Sequence, residues 1–126
     1  MYIRSFQLSD SFRINDLLRS VLSEECCKET MTALTDQLSW ESDLVLVAIE
    51  DDMPVGVIIG TVKDGAGYIQ RVVVHQDYQR MGCGRALIEA LQERFARRRV
   101  TIMKAMADEH NAPAFPLYEA TGVAIG

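Results

Sequence analysis

Residues 72–85 read VVVHQDYQRMGCGR, and this stretch decides the fold. The three valines are typical of a strand that is covered on both faces, and Gly82 and Gly84 follow in a loop that leads into a helical pattern. The first amides of such a helix have no intrahelical partner, and the helix dipole adds positive potential at the same end. Two interpretations stay open for this stretch alone: a phosphate site, to which Arg80 and Arg85 add charge, and an ordinary tight turn.

Two common phosphate-binding motifs do not fit the same stretch. Leu87 stands where the G-x-G-x-x-G dinucleotide fingerprint requires its third glycine. No Gly-Lys-Ser/Thr sequence follows, so the P-loop is missing as well. If the loop binds a phosphate group, we expect a ligand other than NAD or ATP.

The elements on either side predict a mixed sheet with helices on both faces. Apolar residues at helical spacing predict helices, and aliphatic or β-branched runs predict strands. The predicted strands span 1–8, 44–49, 55–62, 68–74 and 100–106, and the predicted helices span 12–22, 28–38, 86–99 and 112–121. Three consecutive strands with helices before and after them indicate the α/β (α+β) class.

Composition limits the chain to one domain, residues 1–126, and excludes several classes of protein. The net charge is −5, so the basic excess of a nucleic-acid-binding protein is missing. No apolar run reaches the ~18 residues that cross a bilayer, and the N-terminus lacks the pattern of a secretory signal. We therefore expect a cytoplasmic protein with no nucleic-acid or membrane partner. Cys26, Cys27 and Cys83 are wrongly spaced for a disulfide framework or a zinc site, so we expect reduced thiols and no metal.

Two segments resemble the signatures of one family. The string QRMGCG at 79–84 is similar to the Q/R-x-x-G-x-G/A motif of the GNAT superfamily of acyl-CoA-dependent N-acetyltransferases, and Val74 lies at the usual distance before it. The string NAPAFPLYEATG at 111–122 resembles the family's N-x-x-A-x-x-x-Y-x-x-x-G segment. The resemblance covers residues 40–122. It implies a mostly antiparallel sheet whose central parallel pair, the fourth and fifth strands, splays apart.

The resemblance also implies that acetyl-CoA binds in the gap between those two strands. The pantetheine arm would pair with the backbone of the fourth strand, and the Val74 amide would face the thioester carbonyl, where negative charge develops. The cofactor-binding residues implied in this way are Val72, Val73, Val74, Gln79, Arg80, Met81, Gly82, Cys83, Gly84, Arg85 and Asn111. The implied reaction is transfer of an acetyl group to a primary amine of a small molecule or peptide, by direct attack in a ternary complex.

Two further residues gain a role by resemblance, and each has a purely structural alternative. Tyr118 matches the tyrosine that protonates the CoA sulfur, so Tyr118 and Val74 are the predicted catalytic residues. A core tyrosine on an amphipathic helix is the alternative. Asn111 matches the asparagine that hydrogen-bonds the pantetheine arm or the backbone around it, and a helix N-cap is a compatible role.

The group that takes the proton of the amine stays open. An amine of ordinary pKa about 10.4 is protonated at pH 7 and must become neutral before it attacks. The fourth strand carries Gln70 and Arg71 where many relatives place a carboxylate, and we expect Arg71 to repel a cationic acceptor. The remaining candidates are Glu24, Glu25, Asp43 and His75, with water as an equal alternative.

The C-terminal part departs from the family pattern. Most relatives continue with two further strands, whereas this sequence ends at Gly126, so we expect short or missing last strands and an open edge on the fifth strand. A partner chain covering that edge would make a homodimer. The missing carboxylate and the short end motivate a second hypothesis, a non-catalytic acyl-CoA-binding or regulatory module.

Overall fold

A six-stranded mixed sheet with helices on both faces forms the protein, and the computed structural model describes residues 1–126. The strands are β1 (Tyr2–Ser5), β2 (Val45–Glu50), β3 (Met53–Lys63), β4 (Ala66–Val74), β5 (Met103–Ala105) and β6 (Ala124–Ile125). The helices are α1 (Ser11–Val21), α2 (Glu24–Trp40), α3 (Cys83–Arg97) and α4 (Phe115–Thr121). The strands lie in sequence order; β1 to β4 pair antiparallel, and β5 pairs parallel with both β4 and β6. The predicted fold class is confirmed.

β2 shows why the sheet needs helices on both sides. Residues 44–49 are all buried, and alternate side chains belong to two separate clusters. Val45, Val47 and Ile49 lie with residues of α1 and α2, whereas Leu44, Leu46 and Ala48 lie with residues of α3. A continuous aliphatic run is the pattern of a strand that is buried on both faces. None of the helices combines the length and the apolar character needed to cross a membrane.

A β-bulge in β4 changes which face its side chains occupy. Ile69 and Arg71 lie opposite consecutive residues of β3, so Gln70 is an extra residue in β4. Ile69 packs in the α3 cluster, whereas Val73 packs in the α1–α2 cluster. Without the bulge the two would share one face, because side chains in a strand alternate with a period of two.

β4 and β5 separate after a short parallel contact. β5 pairs only with Gly67–Ile69, and the Met106 N–H donates the last bond between the two segments, to the Ile69 carbonyl at 3.0 Å. β4 then continues to Val74 with no strand beside it on that edge. The predicted splayed parallel pair is therefore present, and we call the space between β4 and the chain after β5 the gap.

Two boundaries in the N-terminal half were predicted wrongly, for local reasons. α2 begins at Glu24 rather than near position 28, because the Ser23 side chain accepts a hydrogen bond from the Cys26 N–H and caps the helix there. β1 ends at Ser5 rather than at position 8, because a 3-10 turn at Leu8–Asp10 leads directly into α1.

Two boundaries in the C-terminal half were also wrong. β5 begins at 103 rather than 100, because α3 ends in a turn in which Arg99 has φ 60° and the Val100 N–H bonds back to the Phe95 carbonyl. α4 begins at 115 rather than 112, because Glu109–Ala114 forms a 3-10 segment that contains Pro113, which cannot donate a helical hydrogen bond.

The edge of β5 is not open as expected. Lys104 and Ala105 pair with Ala124 and Ile125 of β6, and the Gly126 N–H donates to the Ala105 carbonyl at 2.9 Å. β6 returns beside β5 because α4 carries the chain back to the start of that strand. The expected short C-terminal strand is present, and it covers the edge through which we expected a partner chain to pair.

Candidate active site

The second half of β4 has backbone groups without a partner strand. The His75 N–H donates a hydrogen bond to β3 at 2.8 Å. In an antiparallel strand the backbone groups of successive residues point to opposite edges. The backbone groups of Val73 therefore also face β3, whereas those of Val72 and Val74 face the gap. The Gln79 side-chain amide donates to the Val74 carbonyl at 2.9 Å. The Val74 N–H and both backbone groups of Val72 remain on the open edge, where a ligand can pair with them.

The loop after β4 and the start of α3 present further free amides. Arg80 and Gly82 have φ values of 65° and 83°, in the left-handed region. Gly82 is the N-cap of α3, no side chain caps the helix, and the amides of Cys83, Gly84 and Arg85 make no hydrogen bond within the chain. A non-glycine residue in this region costs about 1 kcal/mol, and such strain collects at binding sites. The arrangement is suited to an anion.

The side chains of this loop contribute less than its backbone. Cys83 is buried, and burial raises the pKa of its thiol, so it stays a packed thiol rather than a nucleophile. The Arg85 guanidinium donates to the Ala120 carbonyl at 3.2 Å, near the end of α4. Arg80 and Met81 are exposed.

The beginning of α3 touches α4 directly. A Cβ at Gly84 would lie 2.7 Å from Cδ2 of Leu117, closer than carbon atoms approach. Any larger residue at position 84 would therefore displace the end of the Leu117 side chain. Because Tyr118 follows Leu117, the loop and the predicted catalytic tyrosine belong to one packed unit.

Tyr118 is fully buried on the α3 side of the sheet, and its hydroxyl has no hydrogen-bond partner. Removal from water raises its pKa to about 12, while the positive charge of Arg71 acts in the opposite direction. Buried hydroxyl groups are normally paired. The other two buried side-chain atoms without a partner, Oε1 of Gln70 and Nε2 of His110, belong to the bulge of β4 and to the 3-10 segment before α4. All three belong to segments that border the gap.

Asn111 bridges the two strands where they separate. Its Oδ1 accepts from the Arg71 guanidinium at 2.8 Å, and its Nδ2 donates to the Met106 carbonyl at 2.8 Å. Both polar groups of the side chain are thus used within the protein. The N-cap alternative for Asn111 is wrong, because Asp108 caps the 3-10 segment with its own carboxylate.

Arg71, which we expected to repel a cationic acceptor, is a buried residue. Only 7% of it is exposed. Its Nε donates to the Thr30 hydroxyl on α2 at 3.1 Å, and Asp108 lies 3.8 Å from Nη1. Charged side chains are seldom this buried unless they are bonded. Since the guanidinium is engaged from three sides, the expectation that Arg71 repels a cationic acceptor needs correction.

The structure separates most of the candidate bases from the gap. Glu24 is exposed and lies 3.8 Å from the Lys28 ammonium group. Asp43 is ion-paired with Arg98 beyond the C-terminus of α3. The Nδ1 of His75 accepts from a backbone N–H two residues later. We therefore do not assign any of these three residues as the proton acceptor for the amine.

Glu25, the fourth candidate, belongs to a cluster that sequence analysis missed. Carboxylate and imidazole atoms of Glu25, Glu29 and His110 lie within 4.8 Å of one another. The Nε2 of His110 is 3.3 Å from Oε2 of Glu29. The cluster therefore contains an imidazole–carboxylate pair, and its three side chains are also close enough to hold a metal ion. Its members are far apart in the sequence, so no local pattern could have indicated it.

Two cavities differ in their relation to the gap. A cavity of about 680 Å³ between α1 and α2, lined by Glu24 and Lys28 among others, lies away from it. A smaller one of about 390 Å³ is lined by Tyr68, Met106 and Asp108 and adjoins the gap on the α2 side. The open backbone groups and the unpaired Tyr118 hydroxyl place the candidate site at the gap rather than in the larger cavity.

The model of the acetyltransferase (GNAT) family matches residues 12–123. The chain belongs to the GNAT acetyltransferase family. The match runs from α1 to the turn after α4, so it includes the gap, the loop before α3 and Tyr118. The resemblance stated from residues 79–84 and 111–122 is confirmed.

This GNAT chain also shares its fold with solved N-acetyltransferases. An aminoglycoside antibiotic 6'-N-acetyltransferase from Acinetobacter haemolyticus has a TM-score of 0.76 and 14% identity, covering 97% of this chain and 90% of that one. The PaiA N-acetyltransferase from Thermoplasma acidophilum, solved with coenzyme A, has a TM-score of 0.77 and 16% identity, with 94% and 86% covered. The ribosomal-protein-S18-alanine N-acetyltransferase from Escherichia coli has a TM-score of 0.71 and 22% identity, with 96% and 76% covered. No curated protein sequence matches the chain.

Proposed function

We propose that this GNAT chain transfers an acetyl group from acetyl-CoA to a primary amine of a small molecule or peptide, by direct attack in a ternary complex. The observation that carries the proposal is the gap between β4 and β5. Unpaired backbone groups of Val72 and Val74 line its β4 edge, and the unpaired hydroxyl of Tyr118 is buried on its α3 side. Bound acetyl-CoA supplies an acyl group activated as a thioester.

The residues present fit acetyl-CoA. The amides of Cys83, Gly84 and Arg85 would hold the diphosphate, with the charge of Arg80 at the rim. The open β4 edge would pair with the amides of the pantetheine arm. Asn111 would act by fixing the chain after β5 rather than by touching the arm, because its side-chain amide is already bonded on both sides.

Tyr118 would donate a hydrogen bond to the departing sulfur. Full proton transfer from a phenol of pKa about 12 to a thiolate whose conjugate acid is near 8.5 is uphill by about 5 kcal/mol. A hydrogen bond to a charged group contributes about 1.5–3 kcal/mol without that cost. We therefore assign to Tyr118 the stabilisation of negative charge on sulfur, with the proton remaining on the phenol oxygen for most of the step.

The acceptor is proposed as a small-molecule or peptide amine. The solved relatives named above include enzymes for an aminoglycoside and for a ribosomal-protein alanine, so the fold is used for both classes. The cavity of about 390 Å³ beside the gap has two carboxylates, Asp64 and Asp108, and one ammonium group, Lys63, in its lining, so acidic groups outnumber basic ones where a cationic amine would enter. A cytoplasmic location, a homodimer and the absence of a nucleic-acid partner stay predictions.

One observation favours the second candidate, a non-catalytic acyl-CoA-binding or regulatory module. β4 brings no carboxylate to the gap, because Gln70 and Arg71 occupy the bulge and Arg71 is bonded to Thr30 and Asn111. In this case the protein would bind the cofactor without turning it over.

Two measurements decide between these functions. Titration calorimetry with CoA tests cofactor binding, and release of free thiol from acetyl-CoA with a panel of primary amines tests transfer. The transferase hypothesis expects micromolar binding and amine-dependent thiol release. Binding without release across the panel supports the regulatory module, and the absence of binding contradicts both.

A further inference from the structure

The proposed transfer needs a group that takes the proton of the amine, and β4 supplies none. Gln70 has no titratable group, and an arginine such as Arg71 stays protonated in proteins. A base must therefore come from another element that reaches the gap.

Glu29 of α2 and His110 of the 3-10 segment form the pair best suited to this task. Nε2 of His110 lies 3.3 Å from Oε2 of Glu29 and 3.8 Å from Oε1 of Glu109. This nitrogen is buried and lacks a hydrogen bond of proper geometry, so it faces carboxylates without being fixed by another donor or acceptor. A carboxylate close to one imidazole nitrogen favours the tautomer with the proton on that nitrogen, so in this pair Nδ1 would be the basic atom.

The pair lies beside the residues that bridge the gap. Each member directly precedes a residue that accepts a hydrogen bond from Arg71: Thr30 follows Glu29, and Asn111 follows His110. The α2 side of the sheet carries this pair, whereas Tyr118 packs in the cluster on the α3 side. An amine that reaches the gap from the α2 side therefore meets the pair first, with Tyr118 across the gap.

Carboxylates outnumber cations around the pair. Glu25 faces His110 from α2, and Glu109 and Asp108 face it from its own segment. Arg71 on β4 is the nearby cation, and Asp108 lies 3.8 Å from it. A protonated amine is attracted to such a region, and the excess of carboxylates offsets the buried guanidinium.

We propose that Glu29 and His110 are the proton-accepting pair for the acceptor, which binds as a cationic primary amine on the α2 side of the gap. This inference rests on the proposed function. The ammonium group of the acceptor gives one proton to His110, directly or through one water, and the lone pair that this frees forms the bond to the acyl carbon. The nitrogen then loses its second proton to solvent water. The carbon–sulfur bond breaks with its electron pair on sulfur, to which Tyr118 donates a hydrogen bond. The imidazolium and the thiolate then exchange protons with solvent, which restores the pair.

The test compares His110→Gln and Glu29→Gln with a control on the same helix, Glu24→Gln, whose carboxylate faces Lys28 instead. Thiol release is measured from pH 6 to 10 with one amine that the wild-type protein accepts, and CoA binding is measured by calorimetry. His110→Gln is expected to lose about 10²–10³-fold in kcat/KM at pH 7. In the plot of kcat/KM against pH, the rise of this variant's activity should move up toward about pH 10, where the amine itself becomes neutral. Its activity should therefore recover at high pH. Glu29→Gln is expected to show a smaller loss in the same direction.

The outcomes separate this inference from the proposed function. CoA affinity close to wild type in all variants, with the displaced pH profile only in His110→Gln and Glu29→Gln, supports the pair. Wild-type turnover with unchanged profiles in both variants overturns it while the transferase function stands. Loss of wild-type turnover after EDTA treatment, restored by added Zn²⁺, also overturns it, because the cluster would then act through a metal. If His110→Gln fails to fold, the half-exposed Glu29 gives the deciding variant.

Discussion

Replacement of Tyr118 by phenylalanine separates a catalytic tyrosine from a core tyrosine, because the two roles predict opposite results. The hydroxyl is buried and unpaired in the free protein, and an unsatisfied buried polar group costs about 1–3 kcal/mol. Removing it while keeping the ring should leave the free energy of unfolding unchanged or raise it by about 1 kcal/mol. For a domain of this size, that is about 3–5 °C in the melting temperature.

The same substitution should slow acetyl transfer. The lost hydrogen bond to the charged sulfur is worth about 1.5–3 kcal/mol, so kcat should fall about 10- to 150-fold, with little change in the affinity for CoA. The assays are thermal denaturation without ligand and thiol release under saturating acetyl-CoA. A lower melting temperature together with an unchanged kcat would refute the reasoning and leave Tyr118 as a core residue.

Alkaline pH gives a second readout of the same residue. Its pKa is raised from 10 to about 12 in the folded protein. Below about pH 10 the phenol is neutral in both states; between about 10 and 12 only the unfolded state ionises, so stability falls as pH rises. The loss should approach about 3 kcal/mol near pH 12. Tyr118→Phe should escape this loss, and absorbance at 295 nm should show one fewer late-titrating tyrosine.

Gly82→Ala and Gly65→Ala place a side chain at φ 83° and 79° with no atom near either Cβ, so both should lose about 1–2 kcal/mol of stability in urea titrations. Only Gly82→Ala should weaken CoA binding, by about 5- to 10-fold in calorimetry, because only that residue orients the amides of α3; equal affinities would contradict the assignment of the loop. The Asp10 carboxylate accepts one hydrogen bond from each of two guanidinium nitrogens of Arg4, which holds the pKa of Asp10 below its ordinary range, so Asp10→Asn should cost about 1–3 kcal/mol at pH 7 in thermal melts. That difference should disappear as pH falls through the lowered pKa of Asp10, below which the carboxylate is protonated in both states. The buried Cys83 should resist iodoacetamide at pH 7 by mass spectrometry, and Cys83→Ser should keep kcat within about threefold; fast labelling would contradict the packed thiol.

Local patterns in the sequence predicted the chain order of the first five strands, and the family resemblance predicted the gap between the fourth and the fifth. The valine run at 72–74, the glycines of the loop and the spacing of Tyr118 from Asn111 are local patterns, and each lies where the motif placed it. The bulge was not predictable, because Ile69, Arg71 and Val73 alternate as if they shared one face. An extra residue is recognised only from the register with β3.

The chemistry of the site depended on contacts that no local pattern carries. Arg71 looks like a surface charge in the sequence, yet it is buried because Thr30 and Asn111, each about forty positions away, accept its hydrogen bonds. The approach of Glu29 to His110 is also purely tertiary. The spacing of the motif thus indicated Tyr118 as the group that acts on the sulfur. The candidate base, the Glu29–His110 pair, was recognised only from the packed structure.

The contact between Gly84 and Leu117 has a consequence for how the cofactor is received. The helix start that would hold one end of the molecule packs directly on the Leu117 side chain of the helix that would meet its sulfur, so the distance between the two ends is largely set before any ligand arrives. Such a preorganised cradle loses little conformational entropy on association, and it has no need of a closing lid. A larger residue at position 84 would displace the Leu117 side chain and loosen the contact that fixes this distance.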